Sequence, residues 1–451
     1  MNMYGKIKSG MPKTVIIVWA AALGLVLAGG LRAEETPALT LTQAIQLAME
    51  GNISLKKLTN MIYADRIGVK QAEANFLPYL TASVSASSNY PKTGTGGKSV
   101  SGSLNSGINL FNGFYDVARL DIAKYGWASD TASYSWNRQS IVYGTVSQFI
   151  QVVLDSEFIR IANDNLKVQQ DQLRQIEEFA KVGNRSKVDV YQQQTDLKQS
   201  ELQLLQAQRN YAVSRYNLLQ ILGKQADSPL QFKSLPIDTL IAQFSGQSPE
   251  ISPREALAER LDAVAQEYQV QAAESQIRAA QSGYWPTISL SASAGSNYSS
   301  GFAGLGFSDQ FLDENPDLRV GLSFSLPIFD RFATKYGVEQ SKIQLANQHL
   351  NLLDLNLQIG SQVQQALLDY NTAVKQRESA HAQYEYAREA LKISEERFRV
   401  GSSTYIELSQ VRANYFNAAY QKASADYNLL LNYVAVHYYG GTIGEAISIF
   451  S

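Results

Sequence analysis

The 451-residue sequence has no cysteine, only three histidines, and eleven prolines that are unevenly placed. Without cysteine there are no disulfides, no thiolate metal sites, no thiol nucleophile and no lipid-modified N-terminal cysteine. His349, His381 and His437 lie far apart in helical stretches, and none has the spacing that lets two ligands share a metal ion. Each reads as a surface or packing residue. Proline is missing from Pro91 to Pro229 and again after Pro327, as long helices require. Neither sign of charge dominates: 39 Lys and Arg stand against 41 Asp and Glu, a net charge of -2. With no large basic patch, nucleic acid is excluded as a partner. The Gly-rich TGTGGKS, 93–99, lacks the G-x-x-x-x-G-K-[ST] spacing of a phosphate loop and reads as a surface loop. No acid pair stands in a catalytic setting. The expectation is a protein with no catalytic residues, no cofactor and no metal, and therefore not an enzyme.

The N-terminus is where a long apolar run does occur. Lys6, Lys8 and Lys13 precede VIIVWAAALGLVLAGGL, and Ala33 precedes Glu34-Glu35. A basic start, an apolar stretch and a small residue before acids describe a secretory signal over residues 1–33. The alternative is an uncleaved membrane anchor, since the run approaches spanning length.

Two stretches repeat one plan. FAKVGNRSKVDV and RFRVGSSTYIEL align so that Val182-Gly183 matches Val400-Gly401 and Asp189 matches Glu407, 218 positions later. Leu110-Phe111 matches Ile328-Phe329 at the same offset. Pro78 matches Pro286 at 208, so the second copy carries ten extra residues, placed in GFAGLGFSDQFLDENPD, 301–317. A unit this long is a duplicated half-molecule rather than a solenoid repeat. Each copy opens on a helix, capped by Thr40 or Thr42 in the first and by the box Ser252-Pro253-Arg254-Glu255 in the second.

Serine-rich stretches follow. In PYLTASVSASSNY, Leu80, Ala82, Val84 and Ala86 alternate with Thr81, Ser83, Ser85 and Ser87; PTISLSASAG does the same. Their partners are SGSLNSGINLF, with Leu104, Ile108 and Leu110 on one face, and RVGLSFSLPIF. Period two means strands. A half-buried soluble sheet fits this pattern, and so does a membrane barrel with apolar residues toward lipid. Strand length and a nearly charge-free polar face favour the barrel. So does an aromatic girdle at the strand ends: Phe76, Tyr79, Phe111 and Phe114, then Tyr284, Trp285, Phe329 and Phe332. After each strand pair comes a proline-free run of about 100 Å as helix. The helix that returns keeps a heptad, Val190, Leu197, Leu204, Tyr211 and Leu218, so the long helices pack side by side as coiled coils. Four strands cannot close a barrel, and an open edge is not tolerated in lipid, so the chain must oligomerise. Three chains would give twelve strands and a water-filled bore.

The sequence resembles the TolC family of outer-membrane efflux and secretion channels. LTLTQAIQLAMEGN, the strand starts after AEANFLPYL and AAQSGYWPTISL, the LFNG exit and FRVGSSTYIELSQVRANY carry the likeness, which covers residues 39 to about 440. It implies an α+β membrane protein, a homotrimer with a twelve-stranded β-barrel in the lipid bilayer, four strands per chain. The barrel would continue as a helical coiled-coil tunnel into the periplasm. On this plan residues 34–223 form a first repeat: a helix, strands at 79–90 and 101–111, a long helix 113–181 and a return helix 186–222. A linker, 224–252, joins the mid-helix belt. Residues 253–440 form the second repeat, with strands at 286–297 and 319–329, a long helix 331–399 and a return helix 404–438; 441–451 is a tail. The resemblance implies hairpin tips that meet a periplasmic adaptor, at Val182, Gly183, Asn184, Arg185, Val400, Gly401, Ser402 and Ser403. It implies a gate near Lys187, Asp189, Glu407 and Gln410, where Gln410 replaces the second acid of a two-acid gate. The implied partners are the adaptor and an inner-membrane RND or ABC transporter, for multidrug efflux or type I protein secretion. The other reading is a membrane-tethered periplasmic coiled-coil scaffold without a pore.

Overall fold

A computed structural model describes residues 38–94, 96–244, 249–302 and 304–450. The expected signal segment lies outside the described residues. The first half comprises α1 (Leu41–Gly51), α2 (Ile53–Ala74), β1 (Tyr79–Asn89), β2 (Gly97–Asn112), α3 (Tyr115–Lys181) and α4 (Lys187–Ile221). A short α5 (Ile237–Phe244) follows. The second half comprises α6 (Pro253–Glu259), α7 (Leu261–Gln281), β3 (Thr287–Ser299), β4 (Asp317–Ser325), α8 (Ala333–Arg399), α9 (Tyr405–Tyr439) and α10 (Ile443–Ser448).

Local chemistry sets these boundaries. Thr40 and Ser252 each close a capping box, with Gln43 and Glu255, and Pro253 takes the first turn of α6. The opening helix of each copy is broken, where a single helix was expected. Asn52 ends α1 and caps α2, its Oδ1 accepting from Ser54 N at 2.9 Å and Leu55 N at 3.2 Å. Arg260, in extended conformation, separates α6 from α7. β4 stops at Ser325 instead of running to 329, because Pro327 has no N–H for the ladder. β2 starts at Gly97, earlier than expected, since its outer end continues to pair with β1. The expected linker and tail each hold a short helix, α5 and α10.

Both long helices have 67 residues. Each begins on two consecutive left-handed residues, Gly113 and Phe114 (φ 66° and 64°) and Arg331 and Phe332 (φ 56° and 62°). Each has an edge-on aromatic pair at this corner, Phe111–Phe114 at 5.2 Å and Phe329–Phe332 at 5.5 Å. A Cβ on Gly113 would lie 2.5 Å from Ser282 O, so the first corner needs glycine on two counts. Each helix ends in one turn of one design. Gly183 (φ 81°) donates to Ala180 O and Asn184 N to Phe179 O; Gly401 (φ 75°) donates to Phe398 O and Ser402 N to Arg397 O. This is the Schellman closure, which explains why Val-Gly is written twice.

The shorter helices line up end to end beside the long ones. α2 and α7 pack along the strand-proximal half of α3, with α7 also against α8, while α4 and α9 pack along the far halves of α3 and α8. Where α1–α2 meets the end of α4, Asn52 Nδ2 donates to Ile221 O at 3.0 Å. A Cβ on Gly223 there would lie 2.3 Å from Gly51 O. The main core forms a waist at this level. Val146, Phe149, Ile150 and Val153 of α3 meet Ala44 and Ala48 of α1, Leu240, Ile241 and Phe244 of α5, and Leu430 and Val434 of α9. No helix among the described residues is long and apolar enough to cross a membrane.

Candidate channel wall and helix-tip sites

The four strands form one antiparallel sheet in the order β1-β2-β3-β4. Its register pairs even-numbered residues with even and odd with odd along nearly its whole length, so the two faces can be read across all four strands. The even face carries Leu80, Val84, Leu104, Ile108, Leu290, Ala292, Leu318, Val320, Leu322 and Phe324. The odd face is almost wholly Ser, Thr, Asn and Gly. On it serine hydroxyls meet across strands: Ser83–Ser103 at 2.8 Å, Ser85–Ser101 and Ser87–Ser99 at 2.7 Å, and Ser289–Ser323 at 2.6 Å. Its one ion pair among the described residues joins Arg319 to Asp317. The outer edges of β1 and β4 have no strand beside them among the described residues, and both strands are exposed throughout.

Two expectations about this sheet are corrected. Leu110 does not share a face with Leu104 and Ile108; it is the extra residue of a bulge, and Phe111 takes the position opposite Ile288. Tyr79 does not join an apolar girdle. Its register with Gly107 puts it on the serine face, where its ring covers that glycine. Phe76, Phe114, Tyr284, Trp285, Phe329 and Phe332 are exposed where the strands meet the helices, and Phe111 is half-buried beside Phe114.

At the far end lie the two hairpin tips. Val182, Gly183, Asn184, Val400, Gly401 and Ser402 are exposed, and Ser403 is half-buried. Arg185 stacks its guanidinium 4.2 Å from the Phe398 ring and so links the first tip to the second. Behind the turns Ile176, Phe398, Tyr405 and Leu408 form a small apolar cluster. The four gate candidates do not form one charged cluster within the chain. Lys187 is exposed and Asp189 half-buried, and neither has an ion-pair partner among the described residues. Glu407 lies 3.9 Å from Arg397, with its backbone N–H held by the cap Thr404. Gln410 donates to Asn414 at 3.1 Å.

What joins the two hairpins is a polar network that sequence reasoning missed. Tyr405, 3% exposed, donates its hydroxyl toward Gln193 Oε1 at 2.5 Å and Asp196 Oδ2 at 2.7 Å. Ser409 also donates to Asp196 at 2.7 Å. Gln193 passes the chain on to Gln169. One turn further, buried Arg412 bridges Gln172 of α3 and Glu395 of α8, each at 2.9 Å. Burial, then the hydrogen bond and charge of Asp196, push the Tyr405 phenol well above its ordinary range. The signal was a polar stripe, Gln193, Asp196 and Ser200, at helical spacing on a face that its neighbours bury.

Two charged clusters sit higher up. Asp426, nearly buried at the waist, accepts from Arg377 at 2.6 Å, His381 at 2.7 Å and Lys422 at 3.3 Å. Where α2 meets α3, Asp130 faces Asp65, an acid pair without a motif in the sequence. Burial, then the hydrogen bond to Asp65 and its charge, push Asp130 up to about 6. Among the described residues no group of three or more metal-ligating side chains is placed to hold an ion.

An amphipathic four-stranded sheet joined to paired helices about 100 Å long is a fold shared with solved subunits of outer-membrane channels. The Campylobacter jejuni CmeC outer membrane channel superposes with a TM-score of 0.78 at 18% identity, over 89% of this chain and 86% of that one. The open state of Neisseria gonorrhoeae MtrE gives 0.77 at 19%, over 89% of each chain. CusC gives 0.78 at 17%, over 89% and 92%. At such identities the likeness is one of fold. The family model described as outer membrane efflux protein matches residues 44–224 and 252–441, and the chain belongs to that family. The outer membrane protein TolC of Escherichia coli K12 is 27% identical over 172 residues, and that of Salmonella enteritidis 24% over 166. These matches span 34% of the length of either curated relative. The family is one of outer-membrane efflux channels, not of enzymes, and it places the chain in the outer membrane.

Proposed function

We propose that three copies of this chain close a twelve-stranded barrel through β1–β4 pairing between neighbours, continue it as a helical tunnel, and export solutes through it. One observation carries the reading: a sheet with one apolar face, one hydroxyl-lined face and both edges open. In lipid those edges must be paired, and symmetric closure by copies of the same chain does so. The apolar face then meets acyl chains and the serine face lines the bore. Apart from Tyr79 and Arg319 its side chains are small, which leaves the bore open to water.

The tips are the proposed gate and docking end. Exposed Val182 and Val400 beside the Val-Gly turns suit a partner that presents helical hairpins, such as a periplasmic adaptor leading to an inner-membrane RND or ABC pump. Lys187, Asp189, Glu407 and Gln410 face the aperture in this reading, and the Tyr405–Gln193–Asp196 network holds each chain's two hairpins together behind it. The energy for export comes from the pump. Reconstitution into planar bilayers tests the proposal. Stepwise ionic conductance from the full chain is expected; a purified, membrane-inserted protein that never conducts would overturn it.

A further inference from the structure

The ten extra residues of the second copy build a folded loop, and its position on the sheet carries information. Residues 304–316 fold back onto the even, apolar face and leave the serine face clear. A Cβ on Gly102 would lie 3.0 Å from the Phe311 ring, so that ring rests directly on β2. Ser296, also on the even face, donates to Phe311 O at 2.6 Å. Tyr298 packs on Phe307 at 5.3 Å, and Phe307 stacks on Phe311 at 5.2 Å. Gln310, 1% exposed, pins the loop through Ser299 N, Ser299 O and Leu305 O at 2.9–3.1 Å. Asn315 donates to Asn297 O at 2.6 Å.

Built in this way, the loop leaves apolar side chains outward. Leu312 is 68% exposed, and Phe307 and Leu305 are exposed as well. They add to the exposed apolar face of the strands on which the loop rests. Asp313 and Glu314, next to Leu312, are exposed carboxylates. Aromatic and aliphatic side chains mixed with charges suit the headgroup boundary of a bilayer and not its hydrocarbon centre. The segment between β1 and β2 is shorter and mostly Thr and Gly, with Tyr90 its one large apolar side chain.

The geometry points to this loop as a lipid anchor, seating Leu305, Phe307 and Leu312 in the outer-leaflet interface outside the barrel and leaving the bore mouth uncovered. The inference rests on the barrel reading above. A chain with no native cysteine allows it to be tested with single nitroxide labels. Leu312→Cys, Leu305→Cys, Val84→Cys and Ser85→Cys, each in the full chain, are labelled in vesicles of phosphatidylethanolamine and phosphatidylglycerol. Collision with oxygen is compared with collision with a water-soluble nickel chelate. The oxygen-to-nickel ratio at Leu312 and Leu305 is expected to be several-fold above that at Ser85, and close to that at Val84. A water-like ratio at both loop sites, with a lipid-like ratio at Val84, overturns the anchor and leaves the barrel standing. A water-like ratio at Val84 itself overturns the barrel reading and the anchor with it.

Discussion

Removing one hydroxyl at the tip, Tyr405→Phe, isolates the network that joins the two hairpins. The ring stays, so the cluster with Ile176, Phe398 and Leu408 keeps its packing. The one hydroxyl proton goes, which Gln193 and Asp196 share. Asp196 retains Ser409 and is partly open to solvent, so its loss is small. Gln193 is 0% exposed and loses the donor to its Oε1. An acceptor left unsatisfied in the interior costs about 1–3 kcal/mol. At about 2 kcal/mol, local opening of the paired tips becomes roughly 30-fold more frequent, since 1.36 kcal/mol is a factor of ten. Amide hydrogen exchange in peptides covering 186–196 and 404–412 reads this directly, with peptides of the sheet as an internal standard. Exchange at the tips within twofold of the unsubstituted protein would refute the reasoning, as would acceleration spread evenly through the sheet.

Three further outcomes follow from the geometry. Gly401→Ala puts a Cβ on a residue at φ 75° with open space around it, so the cost is backbone strain alone, about 1 kcal/mol; tip amide exchange should rise by several-fold, and unchanged exchange would contradict the Schellman closure. Asp130 holds its proton in the folded state up to about pH 6 against an ordinary 3.8, so the native state binds more protons than the unfolded one between those values. Stability from this group is therefore greatest below pH 4 and is lost as pH rises through 6; thermal midpoints between pH 4 and 7 should lose that component of their slope in Asp130→Asn, and an unaltered slope would count against the acid pair. Glu407→Ala should shift ion selectivity or closed-state leak in planar bilayers while the oligomer still forms, and identical traces would remove Glu407 from the gate.

The large features were legible because they are periodic. Strict alternation in PYLTASVSASSNY and PTISLSASAG fixed the strands and both their faces, and the absence of proline marked the long helices. Val-Gly marked the tips because a left-handed C-cap needs glycine whatever surrounds it. Features that depend on contacts between distant residues were hidden. Nothing around Arg260 announces a helix break. The break exists because the buried guanidinium reaches Asp262 and Gln362 and stacks 4.4 Å from the Trp136 ring. The bulge at Leu110 leaves alternation intact on either side and changes only which residue faces which. The Tyr405 network joins residues more than 200 positions apart, and Tyr405 stands where the first copy has Lys187. Duplication made the shared plan visible and concealed the asymmetry between the copies that the network uses.

Native mass spectrometry of the protein released from detergent tests the central claim most directly. Closure of the exposed β1 and β4 edges between copies predicts one dominant species of three chains, stable until the sheet unfolds. A species that stays a single chain under conditions that preserve the sheet would contradict it, because the four strands would then have no means of sealing their edges in lipid.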